Sequence, residues 1–148
     1  MIELKTADKN DIDYIFKLED NNFSSEKYSI GAISDFVNNN TNLDVVRVLL
    51  KEDKIIAYII YRINTGEAEL FKICVDEFYR RKGYGTILMD DFINFARQNN
   101  VVNINLEVRS DNLPAIDFYK QYGFIEISLR KDYYKEPQAD AIVMQLLL

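Results

Sequence analysis

The 148-residue sequence contains no histidine and no tryptophan, and it has one cysteine and two prolines. The lack of histidine excludes Ser-His-Asp and Cys-His catalytic groups and every histidine-ligated metal site, so no metal is expected. A general base must then be a carboxylate, a tyrosine, a lysine or a water molecule. With Cys74 as its single cysteine, the chain forms no internal disulfide.

Long apolar runs and linker-like segments are also missing. The longest apolar run, residues 55–61, is too short to cross a bilayer, and residues 1–5 have no signal-peptide pattern. Together with the single cysteine, these features predict a cytoplasmic protein that does not bind membranes. Because the chain has only five glycines and no repeat, residues 1–148 are expected to form one domain.

The net charge of −6 argues against binding to nucleic acids or to an anionic membrane surface. It is compatible with a cationic substrate. Against this acidic background, the basic cluster of Arg80, Arg81 and Lys82 is conspicuous.

The basic cluster lies in the most informative segment of the chain. An apolar strand over residues 70–75 leads into a glycine-punctuated turn, and an amphipathic helix over residues 86–98 follows. Free N–H groups at a helix start bind anions, and Gly83 and Gly85 let the backbone approach a phosphate. The segment therefore predicts a phosphate-bearing cofactor, although similar junctions occur in proteins without ligands. It matches neither the Rossmann nor the P-loop glycine pattern.

The remaining elements follow from hydrophobic periodicity and turn residues. They predict an α/β fold with a mixed sheet and helices on both faces. The strands at 70–75 and 103–108, joined by a helix, should be parallel through a right-handed crossover. The other predicted elements are a strand at 2–5, a helix capped by Asp8 or Asp11, a helix at 30–37 ended by residues 38–40, strands at 44–50, 55–64 and 67–75, a helix at 114–122, and strands at 124–130 and 141–147 around a loop at 131–140.

This order of elements resembles the GNAT superfamily of acetyl-CoA-dependent N-acetyltransferases. The segment Arg80-x-x-Gly83-x-Gly85 fits the pyrophosphate loop of that family, and Asn112-x-x-Ala115-x-x-x-Tyr119-x-x-x-Gly123-Phe124 fits its fourth-helix signature. The resemblance covers essentially the whole chain. It implies the GNAT fold, a mixed and mostly antiparallel seven-stranded sheet with four helices on both faces, and acetyl-CoA as cosubstrate.

A closer resemblance is to the ribosomal-protein-alanine N-acetyltransferases. It rests on Leu106-Glu107-Val108-Arg109, on Ala115-Ile116-x-x-Tyr119, and on Arg130-x-x-Tyr133-Tyr134 with Asp140-Ala141-Ile142-x-Met144. It implies direct transfer in a ternary complex to a protein N-terminal α-amine, such as that of a ribosomal protein. The loop at 23–28 lacks the Pro-Trp pair common in those enzymes, so two alternatives stay open: a small-amine acceptor such as a polyamine or aminoglycoside, and a non-catalytic acyl-CoA-binding module.

The resemblance also assigns catalytic roles. Glu107 would accept the proton of the amine, directly or through water, and Tyr119 would protonate the leaving thiolate. Without the resemblance, the residues alone favour a solvated strand glutamate for Glu107 and a core tyrosine for Tyr119. Cys74 is expected to be a small buried residue rather than a nucleophile, because direct transfer needs no acyl-enzyme.

Binding roles follow in the same way from the resemblance. The backbone of Ile73, Cys74 and Val75 would hold the thioester carbonyl and the pantetheine arm, and Asn112 would bind the cofactor arm. Tyr133 and Tyr134 would contact the acceptor, unless they only pack in a hairpin. The chain could act as a monomer or a homodimer. The pyrophosphate would be bound by Arg80, Arg81, Lys82, Gly83, Tyr84, Gly85 and Thr86.

Overall fold

The computed structural model describes residues 1–24, 26–39 and 43–148. Ser25 of the predicted 23–28 loop and Asn40 of the predicted helix end lie outside these ranges. None of the helices within these ranges is long and apolar enough to cross a membrane. The strands and helices are β1 Ile2–Thr6, α1 Ile12–Asn22, α2 Ile30–Asn38, β2 Asp44–Lys51, β3 Lys54–Asn64, β4 Glu67–Val75, α3 Tyr84–Gln98, β5 Asn103–Arg109, α4 Leu113–Gln121, β6 Ile125–Lys135 and β7 Gln138–Leu147.

The seven strands form one sheet in the order β1-β2-β3-β4-β5-β7-β6. Every neighbouring pair is antiparallel except β4 and β5, which are parallel and are joined through α3. This confirms the predicted parallel pair joined by a helix and the mixed, mostly antiparallel sheet.

The apolar run at 55–61 is explained by its place in the middle of the sheet. Tyr58 and Ile60 of β3 pack in the core beneath α1 and α2, whereas Ile59 and Tyr61 pack beneath α3 and α4. A strand with a helical layer on both faces must be apolar on both faces. The two helical layers confirm the expectation of helices on both sides of the sheet.

Two of these helices begin at a side-chain cap: Ser29 caps α2, and Asn112 caps α4. Before α1, Asp8 forms a capping box with the 3-10 turn Lys9–Asp11, and α1 continues from that turn without a side-chain cap of its own. The helix α3 follows Gly83, which has no side chain to cap it. It begins at Tyr84 rather than at residue 86 as predicted, because the first helical turn includes Gly85.

The predicted loop at 131–140 is wrong. Strands β6 and β7 continue through it and leave only a turn at Glu136 and Pro137 between them. The polar composition of this segment predicts a loop. However, β6 is an edge strand whose side chains mostly face solvent, so polar residues are compatible with a strand at this position. Tyr133 and Tyr134 therefore lie on a strand.

The strands β4 and β5 stay together over only part of their length. They pair from Glu67 with Asn103 to Leu70 with Leu106, and no further. Directly after the last pair, the register of β4 against β3 shifts at Phe71, which is the position of a β-bulge. The strands separate beyond this bulge, and a cleft opens between them.

Candidate active site

The cleft between β4 and β5 has a volume of about 1050 Å³. Of the residues predicted for the site, only Cys74 and Lys82 do not line it. The predicted residues that do are Ile73, Val75, Arg80, Arg81, Gly83, Tyr84, Gly85, Thr86, Glu107, Asn112, Tyr119, Tyr133 and Tyr134.

One end of the cleft is formed by the start of α3. Gly83 has φ +84°, a backbone conformation that residues with a side chain rarely adopt. The first hydrogen bond of the helix runs from the N–H of Ile87 to the carbonyl oxygen of Gly83. The three preceding N–H groups, from Tyr84 to Thr86, therefore lack intrahelical acceptors. They carry the positive end of the helix dipole, so this donor set fits a pyrophosphate such as that of acetyl-CoA.

Arg80 fixes the turn that precedes α3. Its Nε donates to the carbonyl oxygen of Val75 at 3.1 Å, and its Nη2 donates to Oδ1 of Asn22. The guanidinium thus ties the turn to the end of β4 and to α1. Arg81, with φ +61°, also lines the cleft.

The backbone of β4 directs alternate amides into the cleft. Asp76 N–H donates to the carbonyl of Ile56 at 2.8 Å, and hydrogen-bonded and non-bonded pairs alternate along an antiparallel ladder. The N–H groups of Ile73 and Val75 therefore point away from β3 and toward the gap, whereas that of Cys74 points at β3. Two backbone donors on one side of the gap are suited to a carbonyl or an amide arm.

Cys74 belongs to the core rather than to the cleft. Its side chain is 5% exposed and packs in the cluster beneath α1 and α2. Burial, with the nearby charge of Glu19, raises the pKa of the thiol to about 12. A thiol that stays protonated is a poor nucleophile, which favours the expectation of a small buried residue.

Glu107 and Tyr119 line the cleft from different elements. Glu107 lies on β5, and its Oε1 is 3.3 Å from Nε of Arg130. Tyr119 lies on α4 and is 8% exposed, and burial raises the pKa of its phenol. Tyr119 is therefore protonated at neutral pH and can donate a proton, while a carboxylate at Glu107 can accept one.

The other end of the cleft is aromatic and charged. The rings of Tyr133 and Tyr134 meet edge to face with centroids 5.2 Å apart. The guanidinium of Arg130 stacks 5.5 Å from the first ring, and that of Arg109 stacks 5.0 Å from the second. The charge of Glu107 raises the pKa of Tyr133, and burial raises that of Tyr134 to about 12.

The segment between α1 and α2 also borders this end, through Glu26 and Tyr28. A buried ion pair between Glu19 and Lys72, 3.0 Å apart, holds it in place. Tyr28 N–H donates to Glu19 at 2.8 Å, and Lys72 donates to the carbonyl of Glu26 at 3.1 Å. The segment is thus bound to the sheet through its backbone.

Sequence reasoning missed several cleft residues: Glu26, Tyr28, Glu69, Phe71 and Arg109. For Arg109 a signal was available, because strand alternation places it on the same face as Glu107, two residues earlier. Burial, together with the nearby charge of Glu107, raises the pKa of Glu69, so the two carboxylates share one region of the cleft.

Comparison with known proteins identifies the family. Residues 12–124 match the model of the acetyltransferase (GNAT) family. The chain belongs to this family. The expected fold and the expected class of enzyme, an acetyl-CoA-dependent N-acetyltransferase, are thereby confirmed.

Individual relatives agree with the family model. The [ribosomal protein bS18]-alanine N-acetyltransferase of Salmonella typhimurium is 38% identical over 100 residues, which cover 66% of this chain and 68% of that protein. The crystal structure of the Escherichia coli ribosomal-protein-S18-alanine N-acetyltransferase superposes with a TM-score of 0.88 at 28% identity, covering 99% of this chain and 94% of that one. Ard1 from Thermoplasma volcanium gives 0.90 at 28% identity, covering 99% and 97%.

Proposed function

We propose that this enzyme acetylates the α-amine of a protein N-terminus, and that a ribosomal protein is its acceptor. The observation that carries the proposal is that one cleft is lined by the start of α3, by the Tyr133–Tyr134 pair, and by Glu107 and Tyr119. One end offers backbone donors for a phosphate-bearing cosubstrate. The other presents paired tyrosines and carboxylates, which suit an extended peptide with a cationic terminus.

The named acceptors of the relatives support the same reading. The Salmonella relative and the superposed Escherichia coli enzyme are both named for the alanine of a ribosomal protein. A ribosomal acceptor would place the reaction in the cytoplasm, where ribosomes are assembled.

The cosubstrate, acetyl-CoA, supplies an acetyl group activated as a thioester. The amides of residues 84–86 would bind its pyrophosphate, and those of Ile73 and Val75 would bind the thioester carbonyl and the pantetheine arm. Asn112 would contribute its side-chain NH₂, because its Oδ1 already caps α4 by accepting from Ala115 N–H at 3.3 Å. Backbone donors that face a developing oxyanion lower the barrier without reorganising.

Two side chains would transfer the protons of the reaction, one from the amine and one to the leaving thiolate. A protein N-terminal amine has a pKa of about 8, so a fraction is already neutral at pH 7 and a carboxylate need only relay the proton. Glu107 would accept it directly or through water, with its carboxylate oriented by Arg130. Tyr119 would give its phenolic proton to the leaving thiolate.

One competing acceptor has structural support. The three carboxylates Glu26, Glu69 and Glu107 line the cleft, and they would also attract a polyamine. A polyamine carries several cationic groups and no carbonyl, so its acetylation is readily distinguished from that of a peptide.

The test is release of free CoA thiol from acetyl-CoA against a panel of acceptors. The panel contains peptides that begin with alanine and with other residues, together with spermidine and an aminoglycoside. Turnover on peptides alone supports the proposal. Turnover on small amines alone overturns the acceptor, and acetyl-CoA binding without turnover on any amine favours a binding module.

A further inference from the structure

Arg109 joins separate parts of the acceptor end of the cleft. It lies on β5 two residues after Glu107 and is only 9% exposed. Its Nε and Nη2 pair with the carboxylate of Asp111 at 3.1 and 3.2 Å, and Nη2 also donates to the carbonyl of Pro137 at 2.9 Å. With the ring of Tyr134 stacked on it, this guanidinium connects β5 to both the tip and the side of the β6–β7 hairpin.

One nitrogen of the same guanidinium makes no hydrogen bond. In the described residues, Nη1 of Arg109 is the one buried side-chain polar atom that makes no hydrogen bond. A buried donor without an acceptor costs free energy, so such an atom in a folded protein needs an explanation. Its surroundings point to a bond that forms in another state of the enzyme.

The nearest acidic partner belongs to the segment between α1 and α2. Oε2 of Glu26 is 3.8 Å from Nη1, which is within ion-pair range but beyond hydrogen-bond range. The backbone of Glu26 is held by Lys72, and its side chain is 18% exposed. A movement of about 1 Å by the side chain would therefore complete the bond at ordinary hydrogen-bond length.

We propose that Arg109 is the positioning residue for the acceptor, and that its Nη1 pairs with Glu26 when the acceptor is bound. Arg109 holds Tyr134 and the hairpin turn on one side of the acceptor. The bond to Glu26 draws residues 26–28, which precede α2, onto the other side. This inference rests on the proposed function and names the pair that closes the peptide end of that site.

The test is a double-mutant cycle with Arg109→Lys, Glu26→Gln and the double variant. Each single change is expected to raise KM for the acceptor peptide about tenfold, the scale of one charge-assisted hydrogen bond. The kcat and the KM for acetyl-CoA should stay within about twofold of the parent. Because both changes remove the same bond between Nη1 of Arg109 and Glu26, the double variant should lose little more than the worse single variant.

Direct binding separates this role from a structural one. The affinity of a fluorescently labelled acceptor peptide is measured by anisotropy in the presence of CoA, and thermal unfolding is followed on the same samples. Glu26→Asp, which keeps the charge, should restore part of the affinity that Glu26→Gln loses. Glu126→Gln, which removes one partner of the surface pair with Lys120, is the matched control and should change neither quantity.

Three results would overturn the inference: additive losses in the cycle, a loss confined to kcat, or peptide affinities that fall only in proportion to unfolding. If Arg109→Lys does not fold, Glu26→Gln and Glu26→Asp decide the matter, because Glu26 is at the edge of the cleft. A parent enzyme that acetylates no peptide contradicts the proposed function instead. That result would come from the acceptor panel, so it is distinguishable from a failure of the Arg109–Glu26 pair in the double-mutant cycle.

Discussion

The two ends of the cleft are built in different ways. The cofactor end consists mainly of backbone groups from one continuous stretch, residues 80–86, at the start of α3. The acceptor end consists of side chains from four segments far apart in the chain: the α1–α2 segment, β4, β5 and the β6–β7 hairpin. In the proposed mode of binding, backbone donors bind the pyrophosphate that every acetyl-CoA molecule carries, whereas side chains from separate segments select the acceptor.

The largest expected effect lies where the two ends meet. Tyr119→Phe should lower kcat by about 10²-fold or more, because the leaving thiolate loses its proton donor. Acetyl-CoA affinity should be unchanged, since the change removes one hydroxyl and leaves the ring in place. Steady-state kinetics and isothermal titration with acetyl-CoA check both parts. Unaltered kcat would remove Tyr119 from the mechanism.

A change at Gly83 should affect the cofactor end alone. Gly83→Val forces a β-branched residue to φ +84° and is expected to weaken acetyl-CoA binding about tenfold or more. The KM of the acceptor should be little affected. Gly85→Ala is the matched control, because Gly85 has ordinary φ and an added methyl would meet Phe118 at 3.5 Å, a normal contact. An acetyl-CoA affinity of Gly83→Val equal to that of the parent would mean that the anion site is misplaced.

A change at the hairpin should have the opposite selectivity. Tyr134→Phe removes one hydroxyl from the acceptor end and keeps the ring over Arg109. We expect KM for the acceptor peptide to rise about three- to tenfold, as for one lost hydrogen bond, with acetyl-CoA affinity unchanged. Kinetics with each substrate varied in turn test this. A rise in KM for acetyl-CoA instead would contradict the assignment of Tyr134 to the acceptor end of the cleft.

The smallest effect concerns stability at high pH. Burial raises the pKa of Tyr119 in the folded state above its unfolded value of about 10. Its contribution to stability is therefore complete below pH 10 and is lost as the pH rises toward the folded pKa. The loss is about 1.4 kcal/mol per pH unit for one phenol. Urea titrations at pH 8, 10 and 11 should show a shallower decline for Tyr119→Phe, and parallel declines would contradict this.

The same division explains how much the sequence could predict. Arg80, Gly83 and Gly85 are close together in the chain, so their spacing alone indicated the anion site. Period-two alternation placed Glu107 on the polar face of its strand. In contrast, the contact between Arg109 and Glu26 joins residues 83 positions apart, and no local sequence pattern predicts such a contact.

Two errors have physical causes. The polar residues at 131–140 predict a loop because an edge strand needs no apolar face and so gives no alternating pattern. The position of Cys74 between Ile73 and Val75 predicts a cofactor contact, although alternation along β4 turns its amide toward β3 and its side chain into the core. Both errors arise where orientation, rather than position in the chain, decides what a residue contacts.

The most direct test of the account is the site of acetylation on a single peptide. A peptide that begins with alanine and contains one internal lysine is incubated with acetyl-CoA and enzyme, and the modified residue is located by tandem mass spectrometry. The proposed function predicts that the acetyl group is found on the α-amine alone, and that the Glu107→Gln variant acetylates no peptide over the same time. Acetyl on the lysine, or an unmodified peptide under conditions in which spermidine is acetylated, would contradict it.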